Sequence, residues 1–166
     1  MLKFKNGRFE LDNLSFQIPD NTFLTTVSEV ELDNGLVVFT EDMKIKILMA
    51  GYDSDVSARE MIDSIFDEDG SFKKMGEITE ICQANLNGIY VIYETALMYY
   101  IEACFDIPNI INCGTFAIQA CTEKKNGKFV LSRMLRLHSQ VMGSMAYGSD
   151  VGYRKKLLIK ADRENC

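Results

Sequence analysis

The chain has 166 residues, of which 47% are hydrophobic and 25% are charged, and it carries a formal net charge of −6 at pH 7. This length suffices for one domain with its own core, and the composition is that of a globular protein rather than a disordered or fibrous one. No apolar run approaches the roughly 20 residues of a membrane-spanning helix, and the N-terminal residues lack the apolar core of a secretion signal. We therefore expect a single globular domain that does not enter a membrane.

The negative charge is concentrated in one stretch. Residues 51–80 contain nine Asp or Glu and three Lys or Arg, whereas the rest of the chain has fifteen of each kind. A negative surface repels the phosphates of nucleic acids and of anionic lipids, and it attracts the basic surfaces of proteins. We therefore expect a protein partner and neither nucleic acid nor membrane. The predicted acidic surface consists of Asp53, Asp55, Asp67, Glu68 and Asp69.

The five cysteines are odd in number and include no Cys-x-x-Cys pair. Most of them lie in apolar strand patterns, where a free thiol behaves as a small hydrophobic side chain. This usage is typical of a reducing compartment, so we expect the protein in the cytoplasm. Zinc needs about four clustered Cys or His ligands, and none of these residues lie close together in the sequence. We expect neither a metal site nor a cofactor.

Short strands fill the N-terminal third of the chain. Asn6-Gly7 and Asn34-Gly35 favour tight hairpin turns, and each separates two runs of alternating apolar and polar residues. The predicted hairpin strands lie at residues 2–5, 8–11, 27–32 and 36–39. A further strand begins at Phe16 and breaks at Pro19, and the alternation from Met43 to Met49 predicts a half-buried strand.

The first helix is predicted from Ser57 to Glu68. Ser57 and Glu60 have the spacing of a capping box, in which each side chain satisfies a free backbone amide of the other residue. Gly70 is a plausible stop after the helix. One apolar stripe follows helical spacing and consists of Met61, Ile62, Ile65 and Phe66.

Residues 88–122 form the centre of the predicted sheet because they are dense in β-branched and aromatic residues. Asn87-Gly88 opens this region as a third turn. Alternate side chains along a strand point to opposite faces of the sheet, so the residues of each strand fall into two sets. In the first strand Ile89, Val91 and Tyr93 share one face, and Tyr90, Ile92 and Glu94 share the other. In the second strand Leu97, Tyr99, Ile101, Ala103 and Phe105 alternate with Met98, Tyr100, Glu102 and Cys104.

The second helix follows Asn126-Gly127 and is predicted from Phe129 to Met145, with an apolar stripe broad enough to cover the sheet. The order of strands, helix, strands and helix indicates an α+β fold, an antiparallel β-sheet built from hairpins with two helices packed on one face. We expect one domain over residues 1–146. For the C-terminal tail, residues 147–166, an edge strand, a docking segment and a loose end remain alternatives.

This arrangement resembles the PsbP-like superfamily of small α+β proteins. The resemblance rests on the Leu14–Asp20 segment, the strand-to-helix step from Ile47 to Ser57, Asn87-Gly88 and the closing helix. Many members of that superfamily hold another protein, including bacterial chaperone-like members that hold apolar segments of secreted effectors. The resemblance therefore implies a non-catalytic adaptor or chaperone-like module for a partner that is basic or has an exposed apolar segment.

With both helices on one face, the other face of the sheet would be open to water. A face rich in tyrosine and methionine has the composition of a protein-binding surface. Glu94 and Glu102 are interpreted as a solvated carboxylate pair on that face, on adjacent strands joined near Ala96. The predicted binding residues are Tyr90, Ile92, Glu94, Met98, Tyr100 and Glu102.

The alternative function is a small-molecule-binding protein or weak hydrolase with a pocket between the sheet and the C-terminal helix. His138 is the sole histidine, and it would act with Glu94, Glu102 or a strand cysteine such as Cys104, Cys113 or Cys121. Apolar surroundings disfavour a reactive thiol, and the chain has no glycine-rich phosphate loop and no Gly-x-Ser-x-Gly motif. We therefore assign no catalytic residue. Self-association into a homo-oligomer through an edge strand or the tail is a third alternative.

Overall fold

The computed structural model describes residues 2–5, 8–11, 14–24, 35–52, 56–67, 70–110 and 113–148. A short 3-10 turn at Lys124–Asn126 leads into the second helix. In chain order the elements are β1 (Leu2–Lys5), β2 (Arg8–Leu11), β3 (Leu14–Gln17), β4 (Thr22–Leu24), β5 (Gly35–Thr40), β6 (Lys46–Tyr52), α1 (Ala58–Asp67), β7 (Lys73–Lys74), β8 (Thr79–Gln83), β9 (Leu86–Glu94), β10 (Met98–Ile110), β11 (Cys113–Glu123), α2 (Gly127–Gly143) and β12 (Ala146–Tyr147).

The described strands form two antiparallel sheets. The small sheet has the order β1-β2-β3-β12, and the large sheet has the order β4-β5-β6-β11-β10-β9-β7, with β8 also paired to β9. Each pairing between described strands is antiparallel. The predicted α+β fold on an antiparallel sheet is therefore confirmed. Within the described residues, neither helix is long and apolar enough to span a bilayer.

Helix α2 covers one face of the large sheet, which we call the α2 face. Its buried residues Val130, Met134 and Val141 belong to a core cluster that includes Phe105 and Phe116 of the central strands. The small sheet closes this core from the side, since the ring of Phe16 lies 5.3 Å from that of Phe116. The predicted second helix is thus confirmed, and it begins at Gly127 rather than at Phe129.

Helix α1 lies on the opposite face of the large sheet, which we call the α1 face. Ala58 and Ile62 are buried in a second core cluster with Val91 and Cys104. Cys104 follows Ala103, which belongs to the α2 core, so alternation along β10 directs the two side chains to opposite faces. The expectation that both helices pack on one face is therefore wrong. The reason is that the central strands are apolar on both faces, so each helix has its own surface to bury.

The start of α1 is fixed by its own capping residues and by the sheet. Ser57 and Glu60 form the predicted capping box: the Ser57 amide donates to Glu60 Oε2 at 2.9 Å, and the Glu60 amide donates to Ser57 Oγ at 3.3 Å. In addition, the amide of Ala58 donates to Asp106 Oδ1 on β10 at 2.7 Å. The negative carboxylate of Asp106 also suits the positive end of the helix dipole. Strand β10 therefore positions α1.

The turn that opens the central strands is not the predicted Asn87-Gly88. Gln83 pairs with Leu86, which leaves Ala84 and Asn85 as a two-residue hairpin loop between β8 and β9. Both have positive φ, 53° and 62°, as a tight turn matched to the twist of its strands requires. Asn87-Gly88 lies inside β9, so the interpretation of this dipeptide as a turn is wrong.

Gly88 serves packing instead. A Cβ atom at this position would lie 2.6 Å from Cδ1 of Phe105 and 2.7 Å from the carbonyl oxygen of Cys104. Both neighbours belong to β10, and Phe105 pairs directly with Gly88. The absence of a side chain therefore allows β10 to lie close to β9 at this point.

Other sequence predictions differ at the ends of elements. The pairing of the first two predicted strands is confirmed, because Lys5 pairs with Arg8. Met43 is not in a strand but in a turn, with φ of 58° and 56% exposure, and β6 begins at Lys46. Tyr147, the first residue of the predicted tail, pairs with Leu14 in β12. The predicted turn residues Asn6-Gly7 and Asn34, the predicted strand 27–32 and the tail residues 149–166 lie outside the described residues.

We predict that Gly88→Ala destabilises the protein by about 2 kcal/mol, since the added methyl group would force Phe105 or the β10 backbone to move. The measurement is the free energy of unfolding from urea denaturation. Gly76→Ala is the matched control, because a Cβ atom at Gly76 meets nothing within 4 Å. Equal stabilities of the two variants would contradict the packing role of Gly88.

Candidate functional site

A pocket on the α1 face is the candidate site, and we call it the tyrosine pocket. Strand register builds its floor, because Tyr93 pairs with Tyr100 across β9 and β10, and Glu102 pairs with Gln119 across β10 and β11. Helix α1 supplies one wall, and Phe72 from the segment after α1 supplies another. The cavity has a volume of about 370 Å³ and is lined by Met61, Ser64, Ile65, Phe72, Tyr93, Tyr100, Glu102 and Gln119.

Aromatic rings form much of the pocket. The rings of Tyr93 and Tyr100 are stacked, with centroids 4.9 Å apart and an interplanar angle of 6°. Phe72 stands edge-on to both, at 5.7 Å from Tyr93 and 6.1 Å from Tyr100. Stacked and edge-to-face pairs of this kind are favourable aromatic geometries, so the rings hold one another in place. Tyr93 is only 2% exposed, so the accessible aromatic surface of the pocket comes from the half-buried Phe72 and Tyr100.

Glu102 is the charged group of the pocket, and its side chain is almost fully enclosed, with 7% exposure. Its Oε2 accepts the hydroxyl of Tyr93 at 2.8 Å and the amide nitrogen of Gln119 at 3.0 Å. The same nitrogen of Gln119 also donates to Tyr93 Oη at 3.1 Å, which closes a triangle of hydrogen bonds. Among the described residues, no Lys or Arg forms a salt bridge with Glu102.

The carboxylate affects the titratable groups around it. Burial, reinforced by the charge of Glu102, raises the pKa of the Tyr93 hydroxyl well above its usual value. The same two causes, in the same order, raise the pKa of the Cys104 thiol, whose Sγ lies 3.8 Å from Glu102 Oε1. Cys104 is therefore a protonated thiol at neutral pH and is not activated as a nucleophile.

The six predicted binding residues do not share one face. Tyr90 and Ile92 pack against the α2 core, and Glu94 lies on that same side. Alternation places Met98, Tyr100 and Glu102 on the α1 face, and two of these three line the tyrosine pocket. The predicted open face combining all six residues is therefore wrong.

The predicted carboxylate pair fails for the same reason. Glu94 pairs with Tyr99, while Glu102 pairs with Val91, so the two glutamates point to opposite faces. Glu94 instead forms a salt bridge with Lys124, at 2.7 Å from Oε2 to Nζ. Glu102 is buried rather than solvated.

His138 and the cysteines are also separated by the sheet. His138 is buried on the α2 face, with Nε2 2.8 Å from the carbonyl oxygen of Ile118. Cys104 belongs to the α1-face core, and Cys121 follows the same alternation in β11. The side chain of Cys113 lies outside the described residues. No imidazole-thiol pair forms among the described side chains. Core residues pack between α2 and the central strands. A cavity of about 360 Å³ lies beside α2, and its lining includes neither His138 nor a cysteine: Asp20, Asn21, Thr40, Arg133, Arg136, Leu137 and Gln140.

The predicted acidic surface lies mostly outside the described residues. Asp53, Asp55, Glu68 and Asp69 belong to undescribed segments, and Asp67 ends α1 with its side chain undescribed. In the same stretch of sequence, Glu60, Glu77 and Glu80 are exposed. Among the described residues, no group of three or more His, Cys, Asp or Glu side chains is arranged to hold a metal ion.

Phe72, Tyr93 and Gln119 line the pocket but are not among the site residues predicted from the sequence. The predicted alternation along β9 already places Tyr93 on the same face as Ile89 and Val91. The register between β9 and β10 is needed to show that Tyr100 and Glu102 lie on this same face of the sheet. Gln119 lies in an apolar run. An isolated amide side chain in such a run predicts a buried hydrogen-bond partner.

The chain is similar to solved structures at low sequence identity. No protein-family model matches the chain, and no curated protein matches it in sequence. A crystal structure from Bacteroides thetaiotaomicron VPI-5482 is similar over 81% of this chain, with 11% identity and a TM-score of 0.44, and the chain spans 45% of that protein. The structure of LpqN, involved in cell envelope biogenesis of Mycobacterium tuberculosis, is similar over 80% of this chain and 82% of its own, with 8% identity and a TM-score of 0.48.

We predict that His138 makes the protein less stable in acid. Nε2 must carry the proton, because the carbonyl of Ile118 can only accept, and Nδ1 is buried without a partner among the described atoms. Burial lowers the pKa of His138 from 6.5 to about 4. The unfolded chain therefore binds a proton below pH 6.5 that the folded protein resists until about pH 4, so stability falls as the pH falls through this window.

The full effect of His138 is about 3 kcal/mol, because one pKa unit corresponds to about 1.4 kcal/mol. His138→Gln keeps a donor and removes the titration, so it is the comparison variant. The measurement is the free energy of unfolding of both proteins at pH 7 and pH 4.5. We expect the wild type to lose more stability than the variant, and equal losses would contradict this assignment.

Proposed function

We propose that the chain is a non-catalytic protein-binding module that recognises a basic partner through the tyrosine pocket. The observation that carries this proposal is the carboxylate of Glu102, enclosed in an aromatic pocket with no cation paired to it among the described residues. A buried charge is costly unless it is paired, and a cationic side chain from a partner would supply the missing charge.

The aromatic walls support the same kind of ligand. The faces of tyrosine rings attract cations, and this attraction grows when water is excluded from the pocket. The aliphatic side chains of Met61 and Ile65 line the opposite side and suit the methylene stem of a long basic residue. A volume of about 370 Å³ is enough for one such side chain and is too small for a folded element.

The surrounding charge favours the approach of a basic partner. The chain has a net charge of −6, and residues 51–80, which include α1 and the Phe72 wall, hold three bases and nine acids. Exposed acids such as Glu60, Glu77 and Glu80 belong to this stretch. Such a local field raises the association rate of an oppositely charged protein, and it weakens with added salt.

Several broader statements belong to this proposal. Membership of the PsbP-like superfamily remains a prediction from the sequence, and the hairpin-built sheet with a closing helix supports it. A cytoplasmic location rests on the odd number of cysteines, of which Cys82, Cys104 and Cys121 are free. Nucleic acid and membrane are not proposed as partners, since the local charge is negative. Self-association through an edge strand remains a separate hypothesis.

We predict that Glu102→Gln abolishes capture of basic proteins from lysate at low salt, because the replacement removes the charge and keeps the shape. Glu94→Gln is the matched control, since Glu94 lies on the other face of the sheet. The measurement is the set of proteins retained by immobilised wild type and by each variant, identified by mass spectrometry. The proposal requires proteins retained by wild type and by Glu94→Gln and lost with Glu102→Gln. It is contradicted if the same proteins bind all three, or if none bind.

A further inference from the structure

We infer that the tyrosine pocket selects a primary ammonium group on an aliphatic stem, in preference to a guanidinium or a quaternary ammonium. This inference rests on the proposed function and narrows it to one kind of cation. A lysine side chain of a partner protein and a free aliphatic polyamine share this chemistry. The hydrogen-bond donors and acceptors that the pocket leaves free distinguish these cations.

The donors of the three hydrogen-bonded pocket residues are occupied within the protein. The Tyr93 hydroxyl donates to Glu102, and the amide nitrogen of Gln119 donates to both Glu102 Oε2 and Tyr93 Oη. A carboxylate can only accept, so the nitrogen of Gln119, rather than its oxygen, must face Glu102. The Ser64 hydroxyl donates to the carbonyl of Met61 at 2.7 Å. These groups have no donor left for a ligand.

Acceptors remain open in the same pocket. Oε1 of Glu102 has only the Cys104 thiol near it, at 3.8 Å, and a thiol is a weak donor. The amide oxygen of Gln119 accepts no hydrogen bond from a described group, because both hydrogen bonds of this side chain use its nitrogen. The Tyr100 hydroxyl also lines the pocket, and it can either accept from a ligand or donate to one. A buried negative charge with free acceptors beside it favours a ligand that donates and is positively charged.

The geometry at Glu102 then separates the three cations. A guanidinium binds a carboxylate best as a fork that uses both oxygens, but Oε2 already accepts two hydrogen bonds. A quaternary ammonium has no hydrogen to donate, so it would leave Oε1 with only the weak Cys104 thiol as a donor. A primary ammonium is a compact charge with three donors and can use Oε1 alone. Its stem can lie between the half-buried Tyr100 ring and the α1 wall.

The test measures binding of small probes to the full chain by NMR, following the side-chain amide of Gln119. The probes are Nα-acetyl-lysine methylamide, its arginine and trimethyl-lysine counterparts, and 1,5-diaminopentane. We expect the lysine probe to bind at least about tenfold more tightly than the arginine and trimethyl-lysine probes, a difference of about 1.4 kcal/mol. The diamine separates the two sources: tighter binding of the diamine than of the lysine probe indicates a free polyamine, and the reverse indicates a protein side chain.

Variants assign the binding to the pocket. Glu102→Gln should weaken the lysine probe at least about tenfold, and Tyr100→Leu should weaken it while leaving the Tyr93, Glu102 and Gln119 hydrogen bonds in place. Glu94→Gln should have no effect, and thermal melting of each variant verifies folding. Equal or tighter binding of the arginine or trimethyl-lysine probe overturns the selectivity and leaves the proposed function standing. If none of the cations shifts the Gln119 signal, the tyrosine pocket fails as a cation site and the proposed function fails with it.

Discussion

The register of β9 against β10 is the constraint on which the tyrosine pocket depends. It places Tyr93 beside Tyr100 and directs Glu102 toward α1 rather than into the α2 core. A slip of one residue would turn every side chain of β10 to the other face and bury Glu102 among the apolar residues under α2. Gly88 helps to hold this register, because only a residue without a side chain fits against Phe105 and the Cys104 carbonyl. Packing at Gly88 therefore helps to determine which face of the sheet carries Glu102.

The two faces of the large sheet have different roles because their helices cover them differently. Helix α2 has seventeen residues and seals its face into a core together with the small sheet. Helix α1 has ten residues and covers part of its face, so the tyrosine pocket remains beside it. Strand β10 carries both Asp106, which caps α1, and Glu102, which charges the pocket. The wall and the floor of the pocket are thus positioned by one strand.

The sequence predicts alternation within a strand far better than the pairing between strands. The faces assigned within β9 and within β10 are confirmed, as are the capping box at Ser57 and the buried stripe of α2. The prediction was wrong about which residues of β9 and which residues of β10 lie on the same side of the sheet. That match depends on the number of residues in the turn, since one residue more or fewer exchanges the faces.

The same local signals explain the other errors. Asn-Gly is a good turn sequence, yet Ala84-Asn85 makes the turn and Gly88 is required by the neighbouring strand, which is a contact distant in sequence. The placement of both helices on one face assumed that a glutamate marks a solvated surface. Glu102 contradicts that assumption because Tyr93 and Gln119 supply donors that compensate for the loss of water. Both partners come from other strands, so no pattern local to residues 98–105 could reveal them.

The buried carboxylate is the feature that a purely structural explanation leaves unaccounted for. Replacing a buried ionic group by well-packed apolar residues is often neutral or stabilising, so the stability of the sheet alone gives no reason for Glu102. The hydrogen bonds to Glu102 are also uneven. Tyr93 and Gln119 both donate to Oε2, whereas Oε1 has no strong donor near it. This arrangement fixes a charge beside aromatic rings and leaves one acceptor with only a weak thiol donor, which supports the proposed ligand site. This asymmetry between the two oxygens of Glu102 connects the strand register to the proposed recognition of a basic group.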